Sequence, residues 1–238
     1  MNWFEIIERI RLSRKPIITT ADIARFAGGN RKYASLVARR LEVKGKIIRI
    51  EKGKYMVAEA NIFSVASHLL RNSYLSFFSA LAVNGIGEQI PSLVTVACTK
   101  TKKQIAIGDY RIDFLSLGEK CLWGYGVKHL DGWHCFVAEP EKAIIDIIYF
   151  SERYSISEVF EIIKGKGIDV KKLLLYAKKF SSSAVIKRLG YILDKNGIDC
   201  YKELSGFIKG SHIPLDPRFK GVGKKNDKWR IIENILVG

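Results

Sequence analysis

Apolar side chains recur at intervals of three and four residues in three successive segments at the beginning of the chain. The segments cover residues 3–12, 21–27 and 31–44, and this spacing predicts three amphipathic helices. Thr20 and Asn30 precede the second and third segments, and residues of these types cap helix N-termini. A glycine follows each of these two segments, as is common where helices end. The pattern therefore predicts three short helices in succession.

A predicted β-hairpin follows the third helix. The stretches "KIIRI" and "YMVA" are rich in strand-forming residues, and the polar turn "EKGK" separates them. Three helices followed by a two-stranded wing is the element order of a winged helix-turn-helix. We therefore predict a winged helix-turn-helix domain over residues 1–57.

The predicted third helix has one apolar face and one basic face. Ala34, Val37 and Leu41 form a narrow apolar face that can pack closely on a neighbouring helix. The major groove of DNA, about 12 Å wide, admits one α-helix whose early residues reach base edges. Cations in the wing are placed to contact phosphates or the minor groove. We predict that DNA is bound by Arg31, Lys32, Tyr33, Ser35, Arg39 and Arg40 of the helix and by Arg49, Lys52 and Lys54 of the wing.

Beyond the predicted hairpin the pattern changes. "NIFSVASHLL" and "YLSFFSALAVNGI" predict helices, whereas "SLVTVAC" and two pairs of alternating segments predict strands. Asp131-Gly132 joins one of these pairs and is a strong hairpin signal. Helical spacing then returns, and residues 211–229 are predicted as loop. The sequence thus predicts an α+β domain over residues 61–238, with a small, mostly antiparallel sheet flanked by helices and a boundary at 58–60.

The charge of the chain is strongly positive and unevenly distributed. The 238 residues carry a formal net charge of +16, and the sequence pI is about 9.7. Residues 1–57 contain 14 Lys and Arg against five Asp and Glu. Such an excess favours a polyanionic partner, first nucleic acid and second an anionic membrane surface. Because the excess is concentrated in the predicted winged helix, we expect double-stranded DNA as the partner and no membrane.

The N-terminal segment and the cysteines predict a cytoplasmic protein. Charged residues interrupt the apolar pattern of residues 3–12, which indicates an amphipathic helix rather than a signal peptide. No apolar run has the length of a transmembrane helix. The cysteines show no C-x-x-C spacing and are predicted to be reduced thiols; they are Cys98, Cys121, Cys135 and Cys200.

The second predicted domain offers weak candidates for catalysis. His134 and Cys135 alternate on a predicted strand, so their side chains face opposite ways. The residues that a Mg²⁺-dependent nuclease would need are represented by Asp113, Glu139, Glu141 and Lys142. However, an acid at a helix start, such as Glu141, also stabilises the helix dipole. The segment "GVGKK" lacks the full spacing of a phosphate loop. We therefore predict no enzymatic activity, no metal and no cofactor.

A second group of cations lies outside the predicted winged helix. These residues are too dispersed to read a groove, but they suit a phosphate track or an acidic partner surface. We predict an auxiliary basic surface formed by Lys187 and Arg188 on "IKRLGYIL" and by Lys224 and Lys225 in the late loop.

Several segments, taken in order, resemble a known family. "YLSFFSALAVNGIGEQIPSLVTVAC" is followed by "VAEPEKAIIDII", and the fragments "IKRLGYIL" and "PLDP" come later. The matching positions are Tyr74, Ser76, Ala80, Leu81, Gly85, Ile86, Gln89 and Pro91 in the first segment and Glu141, Lys142, Ala143, Ile144, Ile145 and Asp146 in the second. The wing, which ends in Gly53-Lys54-Tyr55, is similar too. This order resembles the AbiEi family of antitoxins, the regulatory half of type IV toxin–antitoxin operons.

The resemblance implies an antitoxin that represses its own operon. Its winged helix would bind operator inverted repeats, with a homodimer on the DNA, and the second domain would counteract a nucleotidyltransferase-like toxin. Within the second motif, we expect Ala143 and Ile144 in the core, Glu141 in a first helical turn, and Lys142 or Asp146 at the surface or in a structural salt bridge. Three alternatives stay open: a nuclease delivered by its winged helix, a stand-alone regulator without a toxin, and an adaptor whose winged helix binds protein.

Overall fold

A computed structural model describes most of the chain, namely residues 3–87, 92–165, 167–220 and 222–236. Gln89, Pro91 and Gly221, which belong to segments quoted above, lie outside the described residues. Helices and sheets are both present, so the predicted α+β class is confirmed. No helix among the described residues is long and apolar enough to cross a membrane.

The chain divides into two compact units that interleave in sequence. The first unit comprises residues 1–75 and 91–137, and the second comprises residues 76–90 and 138–238. The predicted boundary at 58–60 therefore falls inside the first unit. Backbone hydrogen bonds there run from Val57 N to Pro16 O and from Ala58 N to Lys46 O, each 3.1 Å. A separate domain over residues 1–57 stays a prediction.

The first unit begins with three helices and a three-stranded sheet. In chain order these elements are α1 (Trp3–Leu12), β1 (Ile17–Thr19), α2 (Thr20–Ala27), α3 (Arg31–Val43), β2 (Ile47–Glu51) and β3 (Lys54–Val57). The three helices and the β2–β3 hairpin lie where the pattern predicted them. Strand β1 was not predicted; it pairs antiparallel with β3, so the sheet order is β1-β3-β2. Strand β1 has only three residues, which is too short for a periodic signal.

The cap of α2 differs by one residue from the prediction. Thr19, rather than Thr20, is the N-cap: its side chain accepts from the backbone N–H of Asp22, and the Asp22 carboxylate accepts from the Thr19 N–H. This reciprocal pair is a capping box. Gly28 ends the helix with φ 62°.

The rest of the first unit is built around a six-stranded sheet. Its elements are α4 (Ile62–His68), β4 (Ser73–Leu75), β5 (Leu93–Cys98), β6 (Ile105–Ile107), β7 (Tyr110–Ser116), a 3-10 turn (Glu119–Cys121), β8 (Tyr125–Leu130) and β9 (Trp133–Ala138). The strand order is β6-β7-β5-β4-β9-β8. The predicted strands and the hairpin at Asp131-Gly132 are present.

The six-stranded sheet contains both strand orientations. Strands β6–β7, β4–β5 and the β8–β9 hairpin are antiparallel, as expected of a mostly antiparallel sheet, whereas β5 and β7 pair in parallel and so do β4 and β9. The parallel pairs were not predicted, and one of them involves β4, which overlaps a segment that was predicted as helix. All three of its residues are buried, and a short strand buried on both faces lacks the alternation that separates strand from helix.

The second unit is mainly helical. It contains α5 (Phe77–Val83), α6 (Pro140–Tyr149), α7 (Ile156–Lys164), α8 (Val170–Phe180), α9 (Ser183–Lys195), α10 (Tyr201–Leu204), a 3-10 turn (Ser205–Phe207), β10 (Ile213–Pro214), β11 (Lys224–Asn226) and β12 (Ile231–Glu233). Helix α6 is buried from Glu141 to Ile148 and packs on α5, α7, α8 and α9. The predicted loop over 211–229 instead contains β10 and β11, which flank β12 in a small sheet.

Candidate nucleic-acid interface

Helix α3 is fixed by its cap and by a narrow buried face. The Asn30 side chain accepts from the backbone N–H of Tyr33 at 3.0 Å. Ala34 and Ala38 are fully buried, with Val37 and Leu41 beside them, and the helix packs on α2. Small side chains on the buried face let the two helices approach closely. The other positions of α3 are exposed to solvent.

The exposed side of α3 carries most of the residues predicted for DNA contact. Its basic face, as we call it, consists of the exposed residues Arg31, Lys32, Arg39 and Arg40. Leu36 lies on the same side and is 59% exposed. An apolar side chain among cations suits a groove, where thymine methyl groups accompany polar base edges.

Two predicted contact residues on α3 have local roles as well. The Ser35 hydroxyl donates to the carbonyl oxygen of Arg31 at 3.1 Å. The Tyr33 ring lies over Gly29, where an added Cβ would be 2.4 Å from Tyr33 Cδ1. Tyr33 is 40% exposed, so its ring both covers the α2–α3 turn and borders the basic face.

The β2–β3 hairpin places cations near the N-terminus of α2. Its turn is tied to this helix because Thr20 N donates to Gly53 O at 3.0 Å. Arg49 and Lys52 are exposed. Lys54 instead forms an ion pair with Glu51 at 2.7 Å. Among the residues that the structure describes, Lys54 is the one of the three predicted wing cations with a carboxylate partner.

A loop outside the predicted winged helix reaches the hairpin. Lys102 Nζ lies 2.8 Å from Glu51 Oε2. Hydrogen bonds from Lys102 and then Lys54 lower the pKa of Glu51 despite the opposing effect of burial. Two lysines thus neutralise the single carboxylate of the hairpin.

The loop that carries Lys102 extends the positive surface of the first unit. We call residues 99–104 the lysine loop; it connects β5 to β6, and its Lys100 and Lys103 are exposed. Sequence reasoning missed these residues, although "TKTKKQ" contains three lysines and no acid. Their proximity to the hairpin depends on a contact between positions 51 residues apart.

The predicted auxiliary surface is wrong for two of its four residues. Lys187 and Arg188 are only 2% and 7% exposed. The Lys187 ammonium donates to Ser211 O at 2.6 Å, and Arg188 donates to Leu215 O at 3.0 Å and to Pro214 O. Burial lowers the pKa of both side chains. Lys187 thus contacts Ser211, and Arg188 contacts the start of the "PLDP" segment, rather than facing solvent.

The other half of that prediction remains open. Lys224 and Lys225 lie on β11 and are exposed. Their contact with DNA or with an acidic partner stays a prediction.

The two motifs that carry the family resemblance meet inside the second unit. Lys142 and Asp146 form an ion pair, and neither side chain has any exposed surface. Ser76 donates to Asp146 Oδ2 at 2.6 Å. Lys142 and Asp146 are therefore a structural salt bridge and not surface residues, and Ala143 and Ile144 lie in the core as expected.

Two further nuclease candidates, Glu139 and Glu141, are also held by structural contacts. Glu141 is 4% exposed, and its Oε1 accepts from the backbone N–H of Asp169 at 3.0 Å. Lys172 forms ion pairs with Glu141 at 3.4 Å and with Glu139 at 3.1 Å. Among the described residues, no group of three or more His, Cys, Asp and Glu side chains is arranged to hold a metal ion.

The adjacent His134 and Cys135 do not form a reactive pair. Cys135 is fully buried on β9, and burial raises the pKa of its thiol to about 12. The His134 ring is partly exposed and lies 4.4 Å, between ring centroids, from His129. A thiol with this pKa stays protonated at neutral pH and is a poor nucleophile.

Comparison with known protein families identifies the N-terminal part of the chain. Residues 5–58 match the family described as "Transcriptional regulator, AbiEi antitoxin". The resemblance that was inferred from the sequence is thereby confirmed for this segment, which contains α2, α3 and the hairpin. No curated protein matches the chain.

Proposed function

We propose that the protein is a transcriptional regulator of the AbiEi antitoxin type, which binds duplex DNA through a winged helix-turn-helix. In this proposal α2 and α3 are the helix-turn-helix, and the β2–β3 hairpin is the wing. Helix α3 enters the major groove, where its N-terminal residues meet base edges. The wing contacts the neighbouring phosphates or the minor groove.

One observation supports this proposal above the others: the cations of α3 are exposed while its apolar residues anchor it. Ala34, Val37 and Leu41 are buried, Lys32 and Arg39 lie on the other side of the helix, and Arg31 is exposed in its first turn. Arg side chains at such positions bind guanine edges bidentately and also bind phosphates. The local match to the antitoxin regulators is independent support, because it covers the same segment.

The lysine loop adds phosphate contacts outside the helix-turn-helix. Lys102 is held beside the hairpin by Glu51, and the neighbouring Lys100 and Lys103 carry the surplus charge. Each lysine that neutralises a phosphate releases counterions, which contributes sequence-independent affinity. The loop therefore strengthens binding to any duplex and leaves the choice of sequence to α3.

The regulatory role follows from the antitoxin type. We propose that the protein binds inverted repeats in its own operator as a homodimer and represses transcription. The second unit then counteracts a nucleotidyltransferase-like toxin by binding rather than by catalysis. Lys224 and Lys225 of β11 are the exposed cations of that unit which we assign to an acidic partner or to flanking phosphates.

DNA binding is tested with the full chain, because residue 57 lies inside the first unit. Fluorescence anisotropy with the duplex upstream of its own gene is compared with a scrambled duplex of equal length. We expect the specific duplex to bind more tightly, and its affinity to fall about a thousandfold or more between 50 and 200 mM salt if six or more phosphates are contacted. Equal affinity for both duplexes, or affinity independent of salt, contradicts the proposal.

The antitoxin role is tested separately in cells. Growth is measured during co-expression with a toxin encoded beside the gene, using the wild type and an Arg31→Ala/Arg39→Ala variant. We expect the variant to lose repression but to keep neutralisation, since the second unit carries the latter. A wild-type chain that does not restore growth contradicts the antitoxin assignment without affecting the DNA-binding assignment.

A further inference from the structure

The first unit contains a cleft of about 570 Å³ that the DNA-binding proposal does not use. Its walls come from the segment around β1, from the end of α4 and from strands β8 and β9. This volume is within the range of sites that enclose small organic ligands, about 300–1,000 Å³.

The cleft has a marked excess of positive charge. Arg14, Lys15, Lys54 and Arg71 line it, whereas Asp22 is its one carboxylate. The Asp22 carboxylate is already bound by Lys15 and Arg25, each at 2.7 Å. Lys54 pairs with Glu51.

Two of the cations have no such partner. Arg14 and Arg71 are exposed and form no ion pair within the part of the chain that the structure describes. Guanidinium groups bind both carboxylate and phosphate bidentately, but a phosphate monoester has three terminal oxygen atoms and up to two negative charges, so it suits two unpaired arginines in one cleft.

The same cleft is also suited to a planar ring. Phe136 and His68 lie together there, with ring centroids 4.9 Å apart and an interplanar angle of 37°. Val127 and Leu70 add apolar surface. A ligand that carries only a phosphate would leave this surface uncovered, whereas a nucleobase would contact it through its face.

His68 also supplies a defined hydrogen-bonding group. Its Nδ1 lies 2.8 Å from the carbonyl oxygen of Ser64, which can only accept, so Nδ1 carries the proton. Burial lowers the pKa of His68, and the ring is neutral at pH 7. The Nε2 atom is then an acceptor, which complements the amino group of adenine, guanine or cytosine.

We propose that this cleft binds a nucleoside monophosphate and that the bound nucleotide weakens DNA binding. The phosphate lies against Arg14 and Arg71, and the base covers Phe136 and His68. The second half rests on the proposed function: Lys54 belongs to the hairpin, and Asp22 belongs to the capping box of α2. A bound phosphate would therefore place negative charge beside the wing, where it repels the DNA backbone.

Ligand binding is measured first, by isothermal titration calorimetry with the full chain and without DNA. The probes are AMP, GMP, CMP and UMP, with adenosine and inorganic phosphate as partial ligands. We expect at least one nucleotide to bind with a Kd below about 1 mM and both partial ligands to bind at least about tenfold more weakly. If no nucleotide binds in this range, or if phosphate alone binds equally well, the proposal is wrong.

Substitutions then locate the site. Arg71→Ala should weaken nucleotide binding about tenfold or more, and Val127→Glu should abolish it, because a carboxylate would stand inside the cleft. Val127 is 53% exposed, so both Val127→Glu and its neutral control Val127→Gln should fold, which circular dichroism verifies. Wild-type nucleotide affinity in Val127→Glu would place the ligand elsewhere and overturn the assignment.

The regulatory half is tested by DNA titrations at constant ionic strength with and without saturating nucleotide. We expect the nucleotide to weaken DNA binding about tenfold in the wild type and to have no effect in Arg71→Ala. Unchanged DNA affinity in the wild type overturns this half. If Arg71→Ala weakens DNA binding without nucleotide, the cleft holds DNA phosphates and the proposal fails. A chain that binds nucleotide but no DNA would instead contradict the proposed function alone.

Discussion

Gly190 of α9 lies directly against the indole ring of Trp229. A Cβ at Gly190 would be 2.0 Å from Trp229 Cζ3 and 2.3 Å from Cε3. Trp229 is fully buried, and its Nε1 donates to Asp194 Oδ2 at 3.2 Å. The indole ring of Trp229 can therefore pack against α9 only because Gly190 has no side chain.

The first prediction follows from this contact. Gly190→Ala should destabilise the protein by about 1–3 kcal/mol or more, because overpacking against a buried ring outweighs the gain of up to about 1 kcal/mol in helix propensity. Urea unfolding measures the change. The control is Gly206→Ala, where an added Cβ meets no atom within 4 Å. Equal midpoints for the two variants would show that the Trp229 ring moves aside without cost.

The second prediction concerns the buried pair of Lys142 and Asp146. Lys142→Met should cost about 3–5 kcal/mol of unfolding free energy, because it leaves a buried carboxylate without its counter-charge. The double variant Lys142→Met/Asp146→Leu should lose less than this single variant, since no buried charge is left. Urea unfolding of the two variants and the wild type provides the comparison. A double variant that is less stable than Lys142→Met would mean that the pair itself supplies net stability.

The third prediction separates base choice from general affinity. Arg31→Ala should change the preferred base at one operator position by about 1–3 kcal/mol, because it removes a predicted base contact. Lys52→Ala should weaken specific and scrambled duplexes alike. Competition binding with a library of single-base operator variants measures both effects. Lys164→Ala removes the same charge from an exposed helix end of the second unit and should change neither. A shift of base preference in Lys52→Ala would mean that the wing reads the bases, which contradicts the proposed docking of α3 in the major groove.

The fourth prediction concerns the lysine loop. Lys103→Ala should reduce the slope of log affinity against log salt by about one, because one phosphate contact is lost, and should leave the preferred sequence unchanged. Anisotropy titrations at several salt concentrations give the slope. Lys120→Ala, in the exposed 3-10 turn of the same unit, is the matched control. If the two variants have the same slope as the wild type, the loop does not touch DNA.

The fifth prediction is a pH dependence that arises from the capping box of α2. Burial raises the pKa of Asp22, but hydrogen bonds from Lys15 and Thr19 outweigh this effect and leave the pKa lowered. A lowered folded pKa stabilises the folded state above the unfolded pKa of about 3.9, and this contribution is lost as pH falls through the folded value.

Asp22→Ala should therefore cost about 1 kcal/mol at pH 7, which is typical of a lost hydrogen bond, because the capping box loses the bond from the Thr19 N–H to the carboxylate. The difference in unfolding free energy between wild type and Asp22→Ala should shrink as the pH falls below about 4. Urea unfolding across this pH range measures it. A difference that is constant with pH would mean that Asp22 acts without its charge.

Sequence reasoning succeeded where the signal was local. The Asn30 cap, the Asp131-Gly132 hairpin and the helices α6 to α9 each depend on residues within one or two turns of each other, and the structure contains all of them. Burial of Ala34 and Leu41 followed from helical spacing alone. The exposure of the basic face follows from the same periodicity.

Contacts between distant segments could not be predicted in this way. Lys187 and Arg188 of α9 were predicted to be surface cations. Instead they donate hydrogen bonds to carbonyl groups of residues 211–215, more than twenty positions away. The Lys102–Glu51 pair and the parallel pairing of β4 with β9 also join positions that are distant in the chain, so no local pattern predicts them. Strands as short as β10 leave no periodic trace.

The interleaving of the two units has a consequence for synthesis on the ribosome. Helix α5 is translated about 60 residues before α6, the helix on which it packs. At about 5–20 residues per second, α5 therefore waits on the order of 3–12 s with its apolar face uncovered. The six-stranded sheet likewise lacks β8 and β9 until the chain has been translated through residue 138. A pause in translation between residues 84 and 138 would thus prolong a stage in which both units are incomplete and prone to aggregation.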